Sequence, residues 1–468
     1  MNQVRPSLLR LMAAALVTLI PLHGQVSTGS IAGQVTDSTG AVIAAAKVTL
    51  LNEGTSRERV ATTDASGAYL FPLVQPGFYT VRVEMQGFKT YAAHKMEVQV
   101  SQQVTHDVHL DVGETSTTVE VAAITPVLDQ RSAEVGQVIG QREVVELPLN
   151  GRNFLDLAKL VPGVTELGTT SQSNGLAING QRANQIGFYF DGVDTRTETS
   201  GKPAFSPSIE AIQEFKIQQN DFAAEFGRSP AGINLTLRSG TNDFHGTLFE
   251  FIRNNKLDAR SFFSPRVDPL RRNQFGAVVS GPILRNKTFF MANFEGLRTR
   301  RANTLFRSVP TALQRDGNFT EGQPVFDPAT YNAAANTRQA FAGNIIPKAR
   351  FGRMGNAALQ YYPSANAPGS GGFNYVVSAS GQSDSNQFHT RVDHQIGSRD
   401  SIFGRLSYSK GETLSPSGIA LTGGRQNSKA VSLTVQESHT FSPSTVNQFR
   451  AAWTFFEDRN GFPLADRN

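Results

Sequence analysis

The chain has 468 residues, enough for two or three domains with cores of their own. Charged residues make up only 18%, and 42 glycines and 32 phenylalanines stand against one tryptophan, which favours short strands and glycine-rich turns over helical bundles. The net charge of +5 comes from interleaved acidic and basic residues with no basic stripe, which excludes nucleic acid as a partner, and the lack of cysteine excludes disulfides and thiol chemistry.

Residues 1–24 read as a secretory signal, with Arg5 and Arg10 ahead of the apolar stretch 11–22 and a small residue, Gly24. Leu22, three before the cut, leaves the cleavage point open. Nothing later approaches the ~20 consecutive apolar residues of a membrane helix, so membrane residence requires a barrel.

Residues 27–112 alternate with period two and carry turns at short intervals. Ile31, Gly33 and Val35 share a face, and Asp37-Ser38-Thr39-Gly40, Asp64-Ala65-Ser66-Gly67 and Gln75-Pro76-Gly77 form turns. Tyr79, Val81 and Val83 alternate with Thr80, Arg82 and Glu84. An antiparallel β-sandwich is expected. Gly33, Val35, Asp37, Gly40, Thr63, Gly67, Tyr69, Leu73, Gly77, Tyr79, Val81 and Val83 fit a pattern that resembles the carboxypeptidase regulatory-like domain, whose transthyretin-like, carbohydrate-binding-like sandwich is an accessory module. His94 and Glu97 have the H-x-x-E spacing of zinc carboxypeptidases, and His106 and His109 add imidazoles. Strand alternation sends residues three apart to opposite faces, so no metal site is expected.

Residues 113–240 begin with Thr118, Val119, Glu120, Val121 and Ala122, which resemble the extended box that pairs with a TonB-type energy-transducing protein by β-augmentation. An ordinary linker strand fits equally well. A helix is expected in 147–164, capped by Asn150 or Asn153, with Phe154, Leu157 and Leu160 on one face and Pro162-Gly163 as its stop. Asp191, Gly192 and Val193 follow, then the strand 209–215, then Phe226-Gly227, then Gly232 and Asn234. In that order these blocks resemble the plug of TonB-dependent receptors. Carboxylates in Asp-Gly turns are turn-formers, and no catalytic constellation, cofactor motif or phosphate loop occurs.

Residues 241–468 read as strands at 243–253, 272–281, 287–298, 386–396, 402–410, 428–440 and 446–457. Phe388, Val392 and Ile396 oppose His389, Arg391, Asp393 and Gln395. Ile402, Leu406 and Tyr408 oppose Arg405 and Ser407. Phe449, Ala451, Trp453 and Phe455 alternate with Gln448, Arg450 and Thr454. Connections alternate long (254–271, 299–385, 411–427) and short (282–286, 397–401, 441–445), as the two rims of an up-and-down outer-membrane barrel require. The longest loop, with Tyr361 and Tyr362, is expected to meet ligand from outside.

The fold expected is thus mainly β: sandwich, α+β plug and the first strands of a transmembrane barrel. Resemblance to TonB-dependent receptors, in particular the Oar-like subgroup, implies a non-enzymatic receptor in a Gram-negative outer membrane. It implies contact with outer-membrane lipid, a TonB-type partner and a small ligand (siderophore, saccharide or peptide), and no cofactor. Seven strands leave edges open, so the chain is expected to be the front part of a longer receptor, unable to insert alone. The other reading is a secreted or periplasmic carbohydrate-binding or adhesion sandwich.

Overall fold

A computed structural model describes residues 28–115, 118–122, 135–149, 151–167, 175–197, 201–220, 229, 231–260, 267–367, 372–419, 422–442 and 445–462. The expected signal segment, Asn150 and Phe226-Gly227 lie outside the described residues.

The first body is a two-sheet sandwich. Its strands are β1 (Gly29–Asp37), β2 (Lys47–Asn52), β3 (Glu58–Thr62), β4 (Ala68–Val74), β5 (Gly77–Glu84), β6 (Thr90–Val98), β7 (Gln103–Thr105), β8 (Val108–Leu110) and β9 (Thr118–Ala122). One sheet has the order β4-β1-β7 with β8 also on β1, and the other runs β3-β2-β5-β6-β9. Ile31, Val35, Val48, Leu50, Phe71, Val81, Val83 and Met96 fill the space between them. Each such side chain stabilises the fold by about 1.5–3 kcal/mol. The Asp-led turns form because a short carboxylate can bond the backbone just ahead. Asp37 Oδ1 accepts from the Thr39 and Ala41 amides, and Asp64 Oδ1 from those of Ser66 and Ala68.

Two expectations need correction here. The sandwich is mixed, since β7 and β8 run parallel to β1 and β9 runs parallel to β6. Strand alternation also fails to separate His94 from Glu97. A bulge places His94 and Lys95 opposite Thr80 alone, with Lys95 at φ +58°, so both His94 and Glu97 are exposed. His94 Nδ1 lies 3.1 Å from Thr80 Oγ1, and His106 packs against Tyr91.

The second body is built on β10 (Val135–Gly140), β11 (Val164–Glu166), β12 (Leu176–Ile178), β13 (Gly187–Phe190), β14 (Val193–Asp194), β15 (Ile212–Asn220) and β16 (Gly232–Leu237). Five of these form one sheet, in the order β10-β15-β16-β13-β14, and β11 pairs with β12. A short α-helix over Gln141–Glu146 goes beyond the sequence expectation. The helix expected in 147–164 is a 3-10 helix, Phe154–Leu160, capped by Asn153. Its buried residues are Phe154, Leu155, Leu157 and Ala158, whereas Leu160, at the free end, is exposed.

The third body is one antiparallel sheet of seven sequential strands: β17 (His245–Asn254), β18 (Leu270–Leu284), β19 (Thr288–Arg307), β20 (Tyr375–Gln395), β21 (Asp400–Pro416), β22 (Gly423–Ser442) and β23 (Thr445–Gly461). The strands outrun the expected ten residues, so the connection expected at 411–427 contracts to 417–422. The longest becomes 308–374, with its own helices Ala312–Arg315 and Arg353–Leu359.

Burial in this sheet is inverted relative to a soluble core. Leu406, Leu433, Trp453 and Phe449 are 40%, 49%, 59% and 61% exposed, whereas Arg405, Ser407 and Ser432 are at most 1% exposed. A face of exposed aliphatic and aromatic side chains backed by buried polar ones is the surface of a wall whose outside is lipid.

Candidate functional site

The buried polar face of the wall closes on the second body around one hairpin. Phe190 pairs with Val193, leaving Asp191 and Gly192 as a two-residue turn with φ of +47° and +75°. Positive φ at both positions defines a type I′ turn, which Asp-Gly adopts readily. The Asp191 carboxylate points into the wall with no exposed surface.

Two arginines meet it there. Arg391 Nη1 donates to Asp191 Oδ1 at 3.0 Å and Arg405 Nη1 to Asp191 Oδ2 at 3.1 Å. Arg405 also donates to the Phe190 carbonyl at 2.7 Å and to Thr434 Oγ1 at 3.0 Å, with its guanidinium 4.1 Å from the centre of the Phe190 ring. Arg391 makes a second ion pair with Asp393, whose other oxygen accepts from Ser239 Oγ at 2.8 Å. Arg450 donates to the Gly192 carbonyl at 2.9 Å. Three wall strands, β20, β21 and β23, thereby grip one turn, and two carboxylates balance the Arg391 and Arg405 charges. Matched charge is what allows such groups to be buried at all.

Further contacts join the same two bodies. Arg272 Nη2 donates to the Gly151 carbonyl at 2.6 Å, Asn293 Nδ2 to Ser208 Oγ at 2.8 Å, and Gln387 Nε2 to the Ser206 carbonyl at 2.7 Å.

The sandwich docks at the short-turn rim. The Asn242 amide donates to the Gly54 carbonyl at 2.9 Å, Asn242 Nδ2 lies 3.4 Å from Ser56 Oγ, and Arg57 reaches the Ser398 carbonyl at 3.3 Å. The Val100 amide donates to Glu214 Oε1, and Lys216 Nζ to the Ser101 carbonyl at 3.3 Å. Burial pushes the Glu214 carboxyl up to about 8, against the pull of the Val100 amide, while Glu97 raises it further and Lys216 lowers it. A cavity of about 490 Å³ lies where the three bodies meet, lined by Glu53, Phe78, Gln141, Arg238 and Arg391 among others.

Among the residues singled out from sequence, Asp191, Gly192 and Val193 are at the centre of this junction. Gly232 and Asn234 are on the neighbouring strand, paired with Gly187 and Tyr189. Thr118–Ala122 lies elsewhere, as the edge strand of the sandwich beside β6. Tyr361 and Tyr362 are partly exposed in the 308–374 connection. That connection is braced by Arg315, which donates to the Leu359, Tyr362 and Pro363 carbonyls, and by the Arg350–Asp327 pair. A cavity of about 390 Å³ opens within it, lined by Phe319, Ile346, Phe351 and Leu359. Sequence reasoning sets Arg391, Asp393, Arg405 and Arg450 on polar faces without giving them a role. An arginine recurring on the wet face of successive strands is the available signal.

Comparison with known proteins follows the same three bodies. Residues 30–111 match the carboxypeptidase regulatory-like domain, 130–233 the TonB-dependent receptor plug domain, and 236–468 the outer membrane beta barrel domain. The TonB-dependent transporter Oar of Myxococcus xanthus is 30% identical over 304 residues, which cover 61% of this chain and 28% of that protein. The chain therefore spans little more than a quarter of that relative. Among solved structures, the outer-membrane transporter YddB of Escherichia coli aligns with a TM-score of 0.45 at 10% identity, over 69% of this chain and 39% of that one. The siderophore receptor PirA of Acinetobacter baumannii gives 0.38 at 14% identity, over 71% and 45%.

Proposed function

Because the chain belongs to the TonB-dependent outer-membrane receptors, with a carboxypeptidase regulatory-like domain ahead of plug and wall, we propose that it takes up a ligand on its external side and that a TonB-type partner drives import. Its place is the outer membrane of a Gram-negative bacterium. The observation that carries the reading is the inverted wall closed on a tethered plug: lipid-facing outside, polar inside, and blocked by a body held through polar contacts that can be exchanged. A secreted all-sandwich module would need the apolar faces of these strands buried, and they are the exposed ones.

Ligand is assigned to the 308–374 connection, whose cavity and Tyr361 and Tyr362 stand on the long-loop rim, and to the plug beneath. The chemistry is a siderophore chelate, a saccharide or a peptide. The energy-transducing partner is assigned to Thr118–Ala122. Among the described residues it is an edge strand with a neighbour on one side only, which suits main-chain pairing on the other. No catalytic step is assigned, and the relatives are transporters and receptors.

Removing residues 310–370 tests the ligand surface against ferric siderophore, oligosaccharide and peptide probes. Any probe bound by the intact chain should no longer bind. Retained binding refutes the assignment. For the partner strand, Val119→Pro with Val121→Pro should abolish capture by the periplasmic part of TonB, because proline removes the amides that pairing needs. Unchanged capture places the contact elsewhere.

A further inference from the structure

On the outward face of the wall, near the short-turn rim, three side chains with metal-ligating atoms converge. Asp400 opens β21, and His439, close to the end of β22, is its direct partner in the strand register. Glu437 precedes His439 by two residues, so strand alternation puts both on one face. One ligand atom from each of the three lies within 4.8 Å of the other two. His439 Nδ1 contacts Asp400 Oδ1, and the His439 ring packs against Phe441 with centroids 4.3 Å apart. The Glu437 carboxylate has no hydrogen-bond or ion-pair partner among the described residues. Backbone register, rather than the chance approach of long side chains, sets this arrangement.

The surroundings supply a second argument. Leu433 and Val435 precede Glu437 on the same exposed face, and Phe449 is its cross-strand neighbour on β23. Two carboxylates and an imidazole thus sit at the margin of a surface that faces lipid, where uncompensated negative charge is costly. Two carboxylates bring two negative charges to this margin, and one divalent cation balances both.

We propose that Asp400, Glu437 and His439 form a binding site for a divalent first-row cation. One imidazole and two carboxylates suit Zn²⁺, and three protein donors leave a fourth coordination position for water. The site also has a mechanical sense. β21 and β22 are joined through 417–422 at the opposite rim, so Asp400 and His439 lie at the open end of that hairpin. A bound ion clips together two strands that no turn connects there. This inference stands apart from the transport reading, since it concerns the outside of the wall and needs neither ligand nor partner.

The test uses the full untagged chain in detergent micelles, stripped with EDTA and desalted. It is titrated with Zn²⁺ by calorimetry and with Co²⁺ by visible absorption. One saturable site per chain is expected. Glu437→Gln and His439→Gln should each weaken Zn²⁺ by roughly tenfold or more and change the Co²⁺ spectrum. His245→Gln, at the start of β17, should alter neither. Asp400→Asn gives the same reading if one of these variants does not fold. Absence of saturable Zn²⁺ binding, or a site indifferent to every one of these ligand substitutions, overturns the proposal.

Discussion

Arg391 and Arg405 stand directly opposite each other on β20 and β21. Two like charges in that relation repel, and burial takes away the water that would screen them. Asp191 resolves the conflict by giving one carboxylate oxygen to each. Asp191→Asn should therefore cost on the order of 3–5 kcal/mol, the range for breaking a buried ion pair from one side. Thermal unfolding and protease sensitivity of the plug would report it. Glu214 yields a prediction of opposite electrostatic sense. Its carboxyl titrates at about 8 when folded and near its ordinary 4.5 when free, so the folded state holds the proton more tightly. Stability from this group is complete below pH 4.5 and is lost as pH rises through 8, each tenfold difference in proton affinity being worth about 1.4 kcal/mol. The melting temperature should fall across that interval, and Glu214→Gln should flatten the profile. Neither role is legible in the sequence. Asp191 reads as a turn-former, and it is one, but its partners lie some 200 positions away, beyond any local pattern.

At the level of elements, alternation is informative because a strand has only two faces. It places Leu406, Trp453 and Phe449 on one side of the wall and Arg405 and Arg450 on the other, and the structure keeps them there. It fails at His94, where one extra residue in β6 reverses the parity, and nothing in the composition of that stretch announces a bulge. Strand ends are also hidden. Residues 411–416 and 423–427 are polar and glycine-bearing, so they read as loop, yet paired with each other they extend the hairpin past the apolar belt. The asymmetry of the wall makes a sharp prediction. Leu433→Arg should destabilise the folded wall by about 2–4 kcal/mol, the cost of a charge on the lipid face near the bilayer midplane. Arginine at Ala334, exposed in the long connection, should stay within about 0.5 kcal/mol. Denaturant titration in micelles distinguishes the two.

At the level of the whole molecule, the sandwich sits on the short-turn rim, in contact with both the plug and the start of the wall. The chain has no cysteine, which makes a tether easy to introduce. Ser56→Cys with Asn242→Cys, positions whose side chains already meet, should bond the sandwich to the start of the wall. If passage requires the sandwich to move, the oxidised form stalls import and a reductant restores it. Import unaffected by oxidation would mean that the sandwich can stay docked throughout. The Asp191 turn has a consequence of another kind, for how the wall is put together. Arg391, Arg405 and Arg450 come from three separate strands, and a slip of one residue in any of them would turn its guanidinium outward to lipid. The hairpin tip therefore acts as a gauge of register, because only one alignment of β20, β21 and β23 brings all three guanidinium groups to it.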